Sequence, residues 1–261
     1  MGSDAGPLEE ALRTKRAAGR KLLACYLVAG MSPDWLEALA AIEAEGADVI
    51  EVGIPFSDPL LDGPVIQEAG KRALLAGFTP GRVLADVGQS GCTVPLVAMT
   101  YYNILLRAGL ERMAGRLVEA GIRGSIVADL SLEESGPWCE EAEAGGIENI
   151  MLVAPPTSVE RAATIASMSR GFVYCVATMG VTGERVSLAS SAAEVARKVT
   201  DVTDKPALVG IGVSTPAQAS EVCSVADGVV VGSAIVRRLL DGEGPGGVGR
   251  FVAALRSAID V

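Results

Sequence analysis

Eight short apolar runs, each closed by Gly, Pro or an acidic residue and separated by segments of helical spacing, constrain this chain more than any other feature. The runs lie at 21–28, 49–50, 95–100, 124–128, 149–154, 171–177, 206–209 and 228–231. Helical patterns fill the intervals: 8–20, a segment from Ser32-Pro33 to Gly46, then 65–76, 110–120, 133–144, 159–168, 192–200, a segment from Thr215-Pro216, and 248–259. Ser32 reads as an N-cap with Pro33 at the first helical position, and Gly46, Gly121 and Gly145 read as helix stops. Runs this uniformly apolar are buried on both faces, as parallel strands covered by helices are.

Eight β/α units in 261 residues, with no break in composition, match the size of one (β/α)8 TIM barrel. We therefore expect a single α/β domain over residues 1–261 with a short N-terminal helix; a doubly wound open sheet is the alternative. Hydrophobic residues at 49% with aromatics at only 4% suit a large aliphatic core. The net charge of −10 forms no basic stripe, which speaks against nucleic acid or an anionic membrane as a partner. Five scattered cysteines without a CxxC pair point to a reducing compartment and away from a structural zinc site. No run reaches the length and apolarity of a membrane span, so a cytoplasmic location is expected.

The chain contains no histidine. That removes a Ser-His-Asp triad, a His-ligated metal and a His general base, leaving acid–base work to carboxylates, Tyr, Lys or Cys. The second strand run ends in Glu51, and Asp62 follows eleven positions later on a loop punctuated by Pro55, Pro59 and Pro64. A strand end that delivers a carboxylate into a proline-rich loop suits an active face. Taken singly, a Glu like Glu51 is more often a solvated rim residue, and an Asp like Asp62, before Gly63, more often a turn residue.

Glycine marks the loops where such a barrel binds phosphate. Gly210-Ile211-Gly212 follows the seventh strand, Gly232-Ser233 the eighth and Gly180-Val-Thr-Gly183 the sixth. Glycine lets backbone N–H groups approach an anion, and a helix N-terminus adds favourable dipoles. Each glycine alone could equally make only a turn.

The residues then match a known pattern. Glu51-Val-Gly-Ile-Pro-Phe-Ser-Asp-Pro-Leu-Leu-Asp62-Gly-Pro-Val-Ile-Gln67 resembles the signature of the tryptophan synthase α-subunit family. Supporting matches are Met99-Thr-Tyr-Tyr-Asn103, Gly171-Phe-Val-Tyr174, Met179-Gly-Val-Thr-Gly183, Gly210-Ile-Gly212 and Asp227-Gly-Val-Val-Val-Gly-Ser-Ala234, so the resemblance spans nearly the whole chain. It implies retro-aldol cleavage of indole-3-glycerol phosphate to indole and glyceraldehyde 3-phosphate. It assigns Glu51 as acid/base, Asp62 as the carboxylate that accepts the indole N–H, and Tyr174 as the active-site tyrosine, a position an ordinary core aromatic could also fill. The resemblance places Gly183, Gly212, Gly232 and Ser233 at the phosphate, and Tyr26, Tyr101, Ala128, Val153 and Ile211 around the indole. Thr182 would sit on a loop that closes over the substrate.

The resemblance implies no cofactor in this chain. Pyridoxal phosphate would belong to a β-subunit partner that receives indole. Three positions depart from the family's usual proline, namely Cys25, Ile104 and Ser131. The last two fall where the family meets its β subunit, so a standalone indole-releasing lyase or a non-catalytic activator of a β-type partner stays open. An indole-glycerol-phosphate synthase would want a lysine at the active end of an early strand, and Lys21 stands at the opposite end.

Overall fold

The computed structural model describes residues 5–176, 188–210 and 212–260. After α1 (Pro7–Ala17), the order is β1 (Leu22–Val28), α2 (Trp35–Ala44), β2 (Val49–Gly53), α3 (Pro64–Leu75), α4 (Pro80–Gly88), β3 (Leu96–Thr100), α5 (Tyr102–Ala108) and α6 (Leu110–Glu119). β4 (Ile122–Val127), a 3-10 turn (Leu132–Glu134), α7 (Gly136–Gly145), β5 (Glu148–Val153), α8 (Val159–Met168) and β6 (Val173–Val176) follow. The chain continues through α9 (Leu188–Thr200), β7 (Ala207–Gly210), α10 (Pro216–Cys223), β8 (Gly228–Val231), α11 (Ser233–Leu240) and α12 (Gly244–Ile259). All eight strands pair in parallel, and β8 closes on β1 with Leu22 opposite Gly228, giving a closed barrel. The open sheet is thereby excluded. No helix among the described residues is long and apolar enough to cross a membrane.

The interior is layered by the two-residue period of the strands. One layer joins Ala24, Val49, Val97, Ile126, Ile150, Phe172, Leu208 and Val230, with Leu8 and Leu12 of α1 packed below it. Two residues further along β1, β2, β3, β6 and β7 stand Tyr26, Glu51, Met99, Tyr174 and Gly210, one level nearer the C-terminal ends of the strands. The hydrophobic pattern that fills the barrel therefore also aims these five residues at its mouth.

The opposite end is held by charge. Asp48 is fully buried and is bound by Lys15, Arg20 and Arg256 at 3.0, 2.9 and 2.8 Å. Its other donor is the Leu23 N–H at 2.9 Å, and Arg256 also donates to the Lys21 carbonyl at 2.7 Å. A buried carboxylate needs such partners to remain ionised. Lys21 donates to the Ala226 carbonyl at this same end, away from the barrel mouth.

Helix starts differ from the sequence reading most at α7, which opens at Gly136 after the 3-10 turn and not at Glu133, at α9, which opens at Leu188 and not at Ala192, and at α2. α2 begins at Trp35 with Asp34 as its N-cap residue, so neither Ser32 nor Pro33 opens it. Ser32 instead uses its carbonyl to accept the Trp35 N–H at 3.3 Å, while its hydroxyl is buried. Burial of the Trp35 ring, edge-on to Phe78 at 6.3 Å, sets the helix start and outweighs the local capping signal.

Candidate active site

A cavity of about 190 Å³ opens at the C-terminal mouth of the barrel, lined by Tyr26, Glu51, Asp62, Ile66, Met99, Tyr174, Gly210, Gly212, Val230, Gly232 and Ser233. Glu51 forms its floor. The register of β1 with β2 sets Glu51 directly opposite Tyr26. The Glu51 side chain is fully buried, and neither carboxylate oxygen has a hydrogen-bond partner among the described residues. Burial alone pushes its pKa up to about 8, so at neutral pH the group is chiefly a carboxylic acid. A buried acid without partners costs stability, and such costs gather where a site needs them.

Asp62 reaches the same cavity from the loop between β2 and α3 and is half-buried. Burial raises its pKa, while a hydrogen bond from the Tyr101 hydroxyl opposes that rise. The two carboxylates thus differ in kind: one is dry and unpartnered, the other nearer solvent with a donor that favours its charge.

Two tyrosines cross the space between strands. A Cβ built on Gly53 would lie 2.3 Å from the Tyr26 hydroxyl, and one on Gly210 would lie 2.5 Å from the Tyr174 hydroxyl. The absence of a side chain at both glycines is what lets the phenols lie over neighbouring strands. Burial raises both tyrosines well above their ordinary pKa, and Glu51 adds to the effect in each, so both phenols are neutral.

On the far wall, Gly212 adopts φ 73°, a conformation open to glycine and strained for other residues. Gly232 is the N-cap residue of α11, and Ser233 its first residue. The first N–H groups of a helix lack intrahelical partners, so this wall offers donors to an anion. Glycine thus serves two separate purposes here, making room for phenols at 53 and 210 and exposing backbone at 212 and 232.

Of the residues singled out in the sequence, Glu51, Asp62, Tyr174, Tyr26, Gly212, Gly232 and Ser233 meet in this cavity. Thr182, Gly183 and Ile211 lie outside the described residues. Tyr101 stands behind the Asp62 loop and not on the cavity wall. Ala128 lines a second cavity, also about 190 Å³, between β4, β5 and α8. Val153 packs in the outer apolar layer with Met151, because strand alternation points Leu152 inward in its place. Tyr101, Ala128 and Val153, expected around the indole, thus lie beside this cavity and not among the residues that line it. Met99, Ile66 and Val230 line the cavity and were not singled out as site residues, and Gly210, of the Gly210-Ile211-Gly212 motif, lines it from the end of β7. For Met99 the signal was present, since it stands two positions beyond an apolar strand residue facing inward.

Residues 12–246 match the family model described as tryptophan synthase alpha chain. A tryptophan synthase alpha chain of Picosynechococcus sp. is 43% identical over 261 aligned residues, covering 97% of this chain and 98% of the relative. The chain belongs to the tryptophan synthase alpha chain family. A second alpha chain, from Synechococcus elongatus, is 45% identical and covers 94% of each. Among solved structures, a tryptophan synthase of Mycobacterium tuberculosis superposes with TM-score 0.90 at 38% identity, covering 99% of this chain and 100% of that one. A tryptophan synthase subunit alpha of Legionella pneumophila gives TM-score 0.88 at 32% identity, with 97% and 98% covered. As a member of this family the chain is an enzyme of the lyase class, acting in tryptophan biosynthesis.

Proposed function

We infer that the chain is a tryptophan synthase α subunit that cleaves indole-3-glycerol phosphate to indole and glyceraldehyde 3-phosphate, with Glu51 as its acid/base. The observation that carries this reading is a fully buried, unpartnered Glu51 on the floor of a cavity that also holds Asp62 and a glycine-rich anion wall.

That arrangement supports the following route. With its pKa near 8, Glu51 enters the cycle as an acid and gives its proton to indole C3. The ring becomes an indolenine, and positive charge develops on the ring nitrogen. Asp62, kept ionised, accepts the N–H and stabilises that charge. The Glu51 carboxylate then takes the proton from the hydroxyl on the carbon next to the ring. That carbon becomes the aldehyde as the bond to C3 breaks, and its electron pair restores the aromatic ring. C3 keeps the first proton and Glu51 recovers one from the hydroxyl, so the enzyme ends as it began. Gly212, Gly232 and Ser233 hold the phosphate through backbone N–H groups, the Ser233 hydroxyl adding a donor, with Gly183 in the same role from the sixth loop. Tyr26 and Tyr174 bracket the ring, and Thr182 closes over it. This route uses only proton transfers, and we assign no cofactor to this chain.

A β subunit is the expected recipient of the indole, with its pyridoxal phosphate in that subunit. Leu60 and Leu61 on the Asp62 loop and Leu106 on α5 are 89, 62 and 52% exposed, apolar surface that suits such a partner. Ile104 is buried within α5, so its departure from the family's proline is a matter of internal packing, whereas Ser131 is exposed ahead of the 3-10 turn.

Purified protein mixed with indole-3-glycerol phosphate should release indole. Glu51→Gln, which keeps the shape and removes the proton exchange, should lower kcat at least a hundredfold. Unchanged turnover in that variant would remove Glu51 from the mechanism.

A further inference from the structure

Tyr101 lies off the cavity wall, yet it grips the loop that delivers Asp62. It follows β3 as the residue before α5 and is buried. Its hydroxyl accepts a hydrogen bond from the Leu61 N–H at 3.2 Å, next to Asp62, whose charged form it favours. Its ring stacks on Phe56, with centroids 5.0 Å apart and planes 27° apart. Phe56 and Asp62 sit near the two ends of one loop, so a single side chain of the barrel holds both. Among the described residues, Tyr101 is the one side chain from outside 55–67 that hydrogen-bonds to this loop. The backbone beneath it is fixed in turn, since the Tyr102 N–H donates to Asp129 at 2.7 Å.

We propose that Tyr101 is a positioning residue for Asp62, holding the loop that carries this carboxylate at the cavity edge, an inference that rests on Asp62 being the counter-charge in the cleavage. Partial burial favours the neutral acid, and the phenol O–H favours the carboxylate. Removing the hydroxyl has two effects in the same direction. The loop loses a tether, and Asp62 takes up a proton at higher pH. The anion wall at Gly212, Gly232 and Ser233 is on other elements, so substrate affinity through the phosphate is retained.

The test is the pH dependence of indole release from indole-3-glycerol phosphate by the wild-type protein, Asp62→Asn, Tyr101→Phe and Phe56→Leu. Tyr101→Phe keeps the ring on Phe56 and lacks only the oxygen. Its kcat should fall about tenfold with KM nearly unchanged, and the acidic limb of its kcat profile should move up by about one pH unit. Phe56→Leu, which retains the hydroxyl but frees the ring, should lower kcat in the same direction by a smaller factor. Wild-type turnover abolished in Asp62→Asn, with Tyr101→Phe matching wild type in kcat and in acidic limb, overturns the positioning role and leaves the lyase reading standing. A rise in KM with kcat unchanged overturns it too, by making Tyr101 a substrate contact. Full activity in Asp62→Asn removes the counter-charge and the inference together.

Discussion

Glu51 shows how far burial alone can retune a carboxyl group. Its pKa rises to about 8 because the barrel mouth desolvates it and no donor among the described residues bonds to it. The linkage to stability has a definite sign. In the unfolded chain the group ionises near pH 4.5, while in the fold it stays protonated until about pH 8. The fold is therefore undisturbed by Glu51 below the lower value and is progressively destabilised up to the higher one, by roughly 3 kcal/mol at pH 7. Glu51→Gln should accordingly melt higher than wild type, with a gain that is small at pH 5.5 and largest at pH 8.5. A thermal shift that does not vary across that range would show that Glu51 is not buried as an acid. Read alone, a Glu like Glu51 is more often a rim residue than a catalyst; only its depth and its lack of partners separate the two. Tyr101 makes the complementary point. The family resemblance placed it around the indole, and its hydroxyl also accepts the Leu61 N–H of the Asp62 loop.

At the scale of elements, every strand expected from the apolar runs exists, in order and in parallel. Three helices were missed: α4, α5 and α11. α4 had a legible start, because Thr79 caps it through the Arg82 N–H at 3.3 Å and Pro80 opens it, as Thr215 and Pro216 do for α10. α5 and α11 are short and begin in what read as site loops, so the chemistry of the loop masked the helix. α1 also does more than lead into the barrel. Its Gly6 N-cap has no side chain to offer, and the buried Glu148 of β5 accepts the Leu8 and Glu9 N–H groups instead, at 2.6 and 2.9 Å. Leu8 packs so closely that a Cβ on Gly124 or Gly171 would lie 2.9 or 2.8 Å from it. Leu8→Ala should cost about 2–5 kcal/mol in a urea titration while leaving kcat near wild type. A loss of activity equal to the loss of stability would show that the plug also shapes the mouth above it.

For the whole molecule, the division between its two ends decides what mutations do. The end with Asp48, Lys15, Arg20 and Arg256 is a closed charge network, and the other end carries the cavity and the exposed Leu60, Leu61 and Leu106. Those leucines give the partnership a direct test. Leu60→Asp and Leu106→Asp should each weaken binding of a tryptophan synthase β subunit by about tenfold in a calorimetric titration, with little effect on melting temperature. Unchanged affinity in both would move the contact elsewhere.

The amino-acid sequence by itself determined eight alternating β/α units with buried parallel strands, because strand and helix periods are local, while the pairing of β8 with β1 that closes the barrel was decided by the tertiary structure. It also named Glu51 and Asp62, because a motif of that length is specific and the lack of histidine left few rivals. Tertiary structure alone decided which side chains share a wall. Register and strand alternation brought Tyr26, Met99 and Tyr174 to Glu51, left Val153 outside, and set Tyr101 behind the loop. It also decided the protonation of Glu51, since the cost of charging a carboxyl depends on everything packed around it and not on its neighbours in the chain.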